Sequence, residues 1–384
     1  MFYENYIEKN KAWIDETFEK LDKKLARVAV KSRDKIPYTT VDGVHNDQSQ
    51  DNKIFGWTNG FWGGLMWIMY EQTGNEEYKK TALRSEELMD KAFYDVQRFH
   101  HDVGFMWHIL SGANYRLTGD TAARNRNLLA AMTLASRYKE NGGYIRAWNG
   151  TWFGRNNDGW TIIDCMMNIP QLFWASKELG DDRFAQIAMA HADMAMRDHV
   201  REDGSMNHIV VHDVETGEMI ESLGGQGYGV GSTWSRGEAW GLYGFVLAYM
   251  HTGEERYLDT AKKIAHYFIA NVADNDYLPL VDFRAPEEPV LYDSTAGVIA
   301  ACGLIDIAKN VPEHEQKLYI SAAIKILKAT EEKFCNWEEN EDSILQMGTE
   351  MYTKGIHMPI IYGDYFFAEA ISKLKGSEFN PWLK

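Results

Sequence analysis

A short joint recurs along this chain and limits what it can fold into more than any other feature. Tyr70-Glu-Gln-Thr-Gly74-Asn-Glu-Glu-Tyr78 returns as Tyr115-Arg-Leu-Thr-Gly119-Asp120 and as Ser176-Lys-Glu-Leu-Gly180-Asp-Asp-Arg-Phe184. It returns again as Tyr249-Met-His-Thr-Gly253-Glu-Glu-Arg-Tyr257, with a degenerate copy at Ile307-Ala-Lys-Asn-Val-Pro312-Glu. Each copy reads as a helix stopped by a glycine at its C-terminal cap, followed by acidic residues that open the next helix. The segments after the joints are amphipathic. Tyr78, Ala82, Ser85, Met89 and Phe93 make one stripe, and Tyr257, Ala261, Ile264 and Phe268 another. The segments before the joints (60–70, 104–113, 161–176, 235–249, 294–307 and 364–374) are rich in Gly, Ala and aromatics and poor in charge. They read as six inner helices, each with an outer partner, residues 2–30 supplying the first. Repeated helix pairs of alternating burial make a solenoid or a closed ring. Fully apolar inner members favour the ring, so the expectation is an all-α (α/α)6 barrel in one domain over residues 1–384.

Composition narrows the function. With 45% hydrophobic and 13% aromatic residues, among them 13 Trp, the chain can bury a large core. No apolar stretch approaches the roughly 18 to 20 residues needed to span a bilayer. Met1-Phe-Tyr-Glu-Asn-Tyr-Ile-Glu-Lys has no basic segment followed by an apolar one, so no secretory signal is expected. Cys165, Cys302 and Cys335 lack metal-ligand spacing and fit reduced thiols in a cytoplasmic protein. A net charge of −16 without a basic stripe argues against nucleic acid. It leaves an anionic small substrate open, because charges beyond about 8 Å are screened at physiological salt.

The polar and aromatic residues collect where the inner helices begin: Trp57 to Trp62, His100 to Gly104, Asn157 to Thr161, Ser232 to Glu238, Tyr292 to Thr295 and Tyr362 to Tyr365. If the inner helices run parallel, all six meet at one mouth. Trp57, Trp62, Trp148, Trp152, Trp160, Trp234 and Trp240 lie at or near it. Tryptophans beside amides and carboxylates suit a sugar, whose CH faces stack on rings while its hydroxyls take the polar groups. Core packing accounts for some of them.

Six carboxylates come into question: Asp102, Asp158, Asp164, Glu238, Asp293 and Asp364. Capping explains Asp293. Asp164 is different, because the run Ile162, Ile163, Met166, Met167, Ile169, Leu172, Phe173 around it is apolar on every side and reads as an inner helix, with Asn168 one turn on. A carboxylate there is neutralised, paired, or held at a wet cavity. Asp102 opens the preceding inner helix beside His100 and His101. Two carboxyls sharing a cleft would drive their proton affinities apart, as general acid-base work needs. A metal site is not expected: His208-Ile-Val-Val-His212 lacks the His-Glu-x-x-His pattern, and its β-branched centre looks extended. Gly224-Gly-Gln-Gly-Tyr-Gly-Val-Gly231 fits neither nucleotide-binding fingerprint and reads as a tightly turned loop carrying Gln226.

Taken together, Phe55-Gly-Trp-Thr-Asn-Gly-Phe-Trp62, His101-Asp-Val-Gly-Phe105, Asp158-Gly-Trp-Thr-Ile-Ile-Asp-Cys-Met-Met-Asn168 and Ser232-Thr-Trp-Ser-Arg-Gly-Glu-Ala-Trp240 resemble the unsaturated glucuronyl hydrolases of glycoside hydrolase family 88. The resemblance covers nearly the whole chain. It implies a catalytic barrel with Asp164 as general acid/base and Asp102 as the second essential carboxyl. It further implies substrate contacts from Trp57, His208, Gln226, Arg236 and Trp240. Between Gly348 and Lys354, where some members favouring sulfated disaccharides carry serines and a lysine, this chain has Thr349, Tyr352 and Lys354. The implied substrate is a small lyase-generated oligosaccharide ending in a 4,5-unsaturated uronic acid, with no cofactor and no metal. A monomer and a dimer both remain open. Rival readings are an unsaturated rhamnogalacturonyl hydrolase, a sugar 2-epimerase working through His101 and His208, and a silent carbohydrate-binding protein.

Overall fold

The computed structural model describes residues 2–152 and 154–383. Within them, six helical stretches line the inside of a ring. They are Phe61–Thr73; Gly104–Gly112 continuing into Ala113–Thr118; Ile163–Met167 followed by Pro170–Leu179; Ser235–Thr252; Ser294–Asn310; and Ile361–Lys375. Six more wrap them: Phe2–Lys31, Glu76–Met89, Thr121–Ala135, Asp182–Asp198, Glu255–Ala273 and Glu313–Phe334. The ring closes because Ile361–Lys375 packs on both Ser294–Asn310 and Phe61–Thr73. Burial follows the sequence pattern. Every residue from Ser294 to Ala308 is buried, whereas Phe2–Lys31 buries one stripe running from Ile14 through Leu21 and Leu25 to Val28 and Ala29. The barrel expected from the joints is the barrel observed.

The joints themselves are short: residues 74–75, 119–120, 180–181, 253–254 and 311–312 are all that separate inner from outer helices. Gly74, Gly119, Gly180 and Gly253 adopt left-handed backbone, with φ between 62° and 75°, which a Cβ would penalise. Asn75, Asp120 and Asp181 then cap the outer helices by accepting from backbone N–H groups in the first turn. At the opposite end the connections are long (32–60, 90–103, 136–162, 199–234, 274–293 and 335–360). All the strands lie there: three small hairpins and an antiparallel sheet of Trp160–Ile162, Ile209–His212 and Met219–Leu223. One end is tight and the other elaborated, which is where binding residues concentrate.

One expectation fails. Residues 161–176 do not form a continuous helix. Trp160–Ile162 is a strand paired Thr161 to Val210 and Ile162 to Ile209. A 3-10 turn, Ile163–Met167, leads from it into the helix that Pro170 opens. The β-branched run Thr161-Ile162-Ile163 suits the strand, and proline, lacking an N–H, suits a helix start. Asp164 therefore sits in a single 3-10 turn between the strand and the α-helix, not within a continuous α-helix.

At the tight end, residues 377–383 fold beneath the barrel. Trp382 is fully buried, its ring parallel to Phe366 at 6.0 Å between centroids. His251 Nε2 donates to its carbonyl at 3.0 Å, and Arg116 holds the carbonyls of Pro381 and Leu383. The three cysteines are unpaired. No helix among the described residues is long and apolar enough to cross a membrane.

Candidate active site

Asp102 and Asp164 come from neighbouring inner segments and meet at the elaborated end. Asp102 is buried, at 7% exposure. Its Oδ2 lies 3.0 Å from His100 Nδ1 and 3.2 Å from His101 Nε2, and its Oδ1 accepts from Asn168 Nδ2 at 3.3 Å. Burial alone would raise its proton affinity. The facing His101 and His100 rings outweigh that and hold the carboxyl well below the usual range. Immediately beyond it the inner helix opens in wide i→i+5 turns over Gly104–Gly112, a distortion common beside functional groups.

Asp164 is treated in the opposite way. Its side chain is 14% exposed, and Oδ1 has no hydrogen-bond partner in the protein. Burial, then the Asp102 charge, lift the carboxyl to about 8, against the pull of Arg236. The nearest facing donor is His208 Nε2, 3.8 Å away and likewise without a partner. His208 Nδ1 accepts the Gln226 N–H at 2.9 Å, which leaves the ring proton on Nε2. Burial and the Arg236 charge push this imidazole down to about 3, so it is neutral. Its plane packs on Trp234 at 4.3 Å.

Three of the other carboxylates are held by partners, and Glu238 is not. Asp158 pairs with Arg146 at 2.8 Å, near the surface. Asp293 caps its helix and holds the Arg236 guanidinium. Asp364 accepts from the N–H groups of Ile344 and Leu345, and burial lifts it to about 7. Glu238 is fully buried in its inner helix, and burial pushes it well up. Among the described residues no cluster of three or more His, Cys, Asp or Glu side chains could hold a metal ion. His212, four residues after His208, is bound to Asp198 at 2.9 Å and stacks on Tyr144.

The expected substrate contacts occupy varied positions. Trp57 is partly exposed and leans on Tyr362 and Phe105. Trp240 lies fully buried beneath it, at 6.4 Å between ring centroids, and forms the floor rather than the wall. Of the seven tryptophans near the mouth, Trp62, Trp160, Trp234 and Trp240 are buried, while Trp57, Trp148 and Trp152 are partly exposed. Arg236 is 1% exposed and already engaged, donating to Thr349 O at 2.5 Å and Glu350 O at 2.7 Å besides Asp293. Gln226 Nε2 donates to the same Glu350 carbonyl at 2.6 Å. Both side chains thus clamp the 348–358 loop, on whose turn Lys354 is exposed.

Two residues of the site were not among the candidates drawn from the sequence. Tyr38 reaches in from the 32–60 connection, and its hydroxyl donates to Glu350. Asn168, notable in the sequence only as a neighbour of Asp164, proves to touch Asp102 as well. The adjacency of His100, His101 and Asp102 in one turn was the signal that could have assigned the two histidines as carboxylate partners.

Comparison with known proteins agrees with the fold. Residues 28–247 match the family model described as Glycosyl Hydrolase Family 88. The chain is 36% identical to an unsaturated glucuronyl hydrolase of Bacillus sp. (strain GL1), covering 94% of this chain and 96% of that protein. It is 33% identical to an unsaturated chondroitin disaccharide hydrolase of Streptococcus pyogenes serotype M1, over 85% and 82%. The crystal structure of the unsaturated glucuronyl hydrolase from Bacillus sp. GL1 superimposes with a TM-score of 0.84 at 34% identity, covering 93% of this chain and 97% of that one. With more than half its length matched and these identities nearly end to end, the chain belongs to glycosyl hydrolase family 88.

Proposed function

We infer that this protein hydrolyses small oligosaccharides released by polysaccharide lyases, which end in a 4,5-unsaturated uronic acid, and that glycosaminoglycan-type disaccharides are its substrates. The observation that carries the reading is the split between two neighbouring carboxyls, one of which feels the charge of the other. Asp102 is kept ionised by two histidines and an amide, and Asp164 is kept protonated up to about pH 8 with an oxygen left free. One protonated acid beside one fixed charge suits protonation of a vinyl ether.

The chemistry follows from the substrate. Its C4=C5 bond is conjugated to the uronate carboxylate and to the ring oxygen. Asp164 gives its proton to C4, and positive charge develops at C5 and the ring oxygen, next to the Asp102 charge. Asp164, now a carboxylate, takes a proton from water as the water oxygen bonds C5. The resulting hemiketal opens and expels the next sugar, leaving the uronate as a keto acid. Neutral His208 offers its Nε2–H to a substrate oxygen, and the partly exposed Trp57 receives the ring. No second carboxyl at a set separation across the anomeric carbon is required, unlike ordinary glycosidases.

Incubation with unsaturated chondroitin, hyaluronan or heparin disaccharides should abolish the ultraviolet absorbance of the conjugated double bond. In heavy-oxygen water the label should enter the released keto acid at C5. Label at C1 of the cleaved sugar would overturn the hydration route. Turnover of only the pectin-derived rhamnogalacturonyl fragment would overturn the substrate class.

A further inference from the structure

Asn168 touches the Asp102 carboxyl and the Asp164 backbone, and so joins the two segments that carry the carboxyls. It is fully buried at the bend between the Ile163–Met167 turn and the helix opened by Pro170. Its Oδ1 accepts the Phe105 N–H at 2.9 Å, on the segment that carries Asp102. Its Nδ2 donates to Asp102 Oδ1 at 3.3 Å and to the Asp164 carbonyl oxygen at 3.2 Å. Only one orientation of the amide satisfies these neighbours, because a flip would set its oxygen against two acceptors and its nitrogen against a donor. The two segments are also in direct contact. A Cβ at Gly104 would lie 2.7 Å from Asn168 Oδ1 and 2.8 Å from its Cα, so the glycine is what allows this approach.

We propose that Asn168 is a positioning residue of the reaction, its single amide fixing the distance and relative aim of Asp102 and Asp164. The inference rests on the acid/base reading of Asp164. No capping role asks for an amide here: the following helix begins with proline, and its preceding residue, Ile169, offers no side-chain cap. The donor instead completes the set around Asp102, whose Oδ2 is taken by the two histidines and whose Oδ1 is left for Asn168. The Asp102 charge is one of the influences that keep Asp164 protonated. Letting Asp102 swing away would therefore lower the proton affinity of Asp164, so that it loses its proton at lower pH, while leaving the sugar-binding surfaces untouched.

The test compares Asn168→Ala, Asn168→Asp and Asp164→Asn, using an unsaturated chondroitin disaccharide and following loss of the conjugated absorbance. Asn168→Ala should lower kcat by about 10- to 100-fold with KM within about threefold. Its alkaline limb in kcat/KM should move to lower pH by about half a unit or more, since the neighbouring charge is no longer held in place. Asn168→Asp keeps the shape and the bond from Phe105 but cannot donate when ionised. It should lose at least as much kcat, and it carries the test if the alanine variant does not fold. A parental kcat and unshifted pH profile in the folded variants would reduce Asn168 to a structural cross-link and sink the proposal. An Asp164→Asn enzyme that still turned over near the parental rate would instead sink the acid/base reading beneath it.

Discussion

The two ends of the barrel handle buried charge in opposite ways. At the tight end Lys373, its side chain 4% exposed, lies 2.5 Å from Asp306 and 3.3 Å from Glu369. It also donates to the Tyr243 hydroxyl, which itself donates to Glu369, and Trp382 Nε1 donates to the other Glu369 oxygen at 2.9 Å. Each charge there is answered by the protein. At the elaborated end Asp164 and His208 face one another across 3.8 Å, each with an atom unanswered. Buried polar groups are normally satisfied, so an unsatisfied pair marks where something else is to bind. A concavity of about 550 Å³ also lies at the tight end, lined in part by Tyr3, Asp306, Lys309 and Phe379. That hollow is not the site, because Asp306, Lys373 and Glu369 beside it already answer one another.

That contrast is open to breakage from either side. The largest effect should come from Asp164→Asn, with kcat down by about 10³-fold or more, some 4 kcal/mol of barrier, and disaccharide binding retained by calorimetry. Lys373→Met should do the reverse. Removing the one cation among two buried carboxylates should cost about 3 to 5 kcal/mol in urea unfolding while the folded fraction keeps its kcat. A Lys373→Met enzyme that folded as well as its parent but turned over slowly would erase the distinction between the two ends.

Acidity supplies a smaller and sharper test. Because Asp164 must carry a proton to attack C4, kcat/KM should fall as pH rises through about 8. Stability should respond as well. The folded state binds this proton more tightly than the unfolded chain does, so its contribution is greatest below about pH 4 and is lost as pH rises to about 8. Asp164→Asn lacks that loss, and its thermal midpoint should pull ahead of the parent's across the same interval. Parallel midpoints from pH 4 to 8 would mean the carboxyl is not held protonated.

Much of this was readable from residues close together in the chain. The glycine joints act within a few residues, so Gly74, Gly119, Gly180 and Gly253 announced the ring and the end from which its long connections spring. What escaped depends on distant partners. Trp160–Ile162 becomes a strand only because Ile209–His212, some 50 residues later, pairs with it; alone, its apolar run is ambiguous between strand and helix. The same holds for Asn168 and Asp102, and for Trp382, whose fit beneath the barrel no local pattern announces. Among the tryptophans, nothing in the sequence separated Trp57, which is partly exposed, from Trp240, which is not.

Because the inner helices all begin at one rim, their peptide dipoles point the same way. Each N-terminus contributes a fraction of a positive charge, roughly half a unit before solvent screening, and six of them converge on the cleft. A molecule with a net charge of −16 would otherwise repel a uronate. The backbone's own polarity therefore offsets part of that repulsion at the rim, a contribution the side-chain tally conceals.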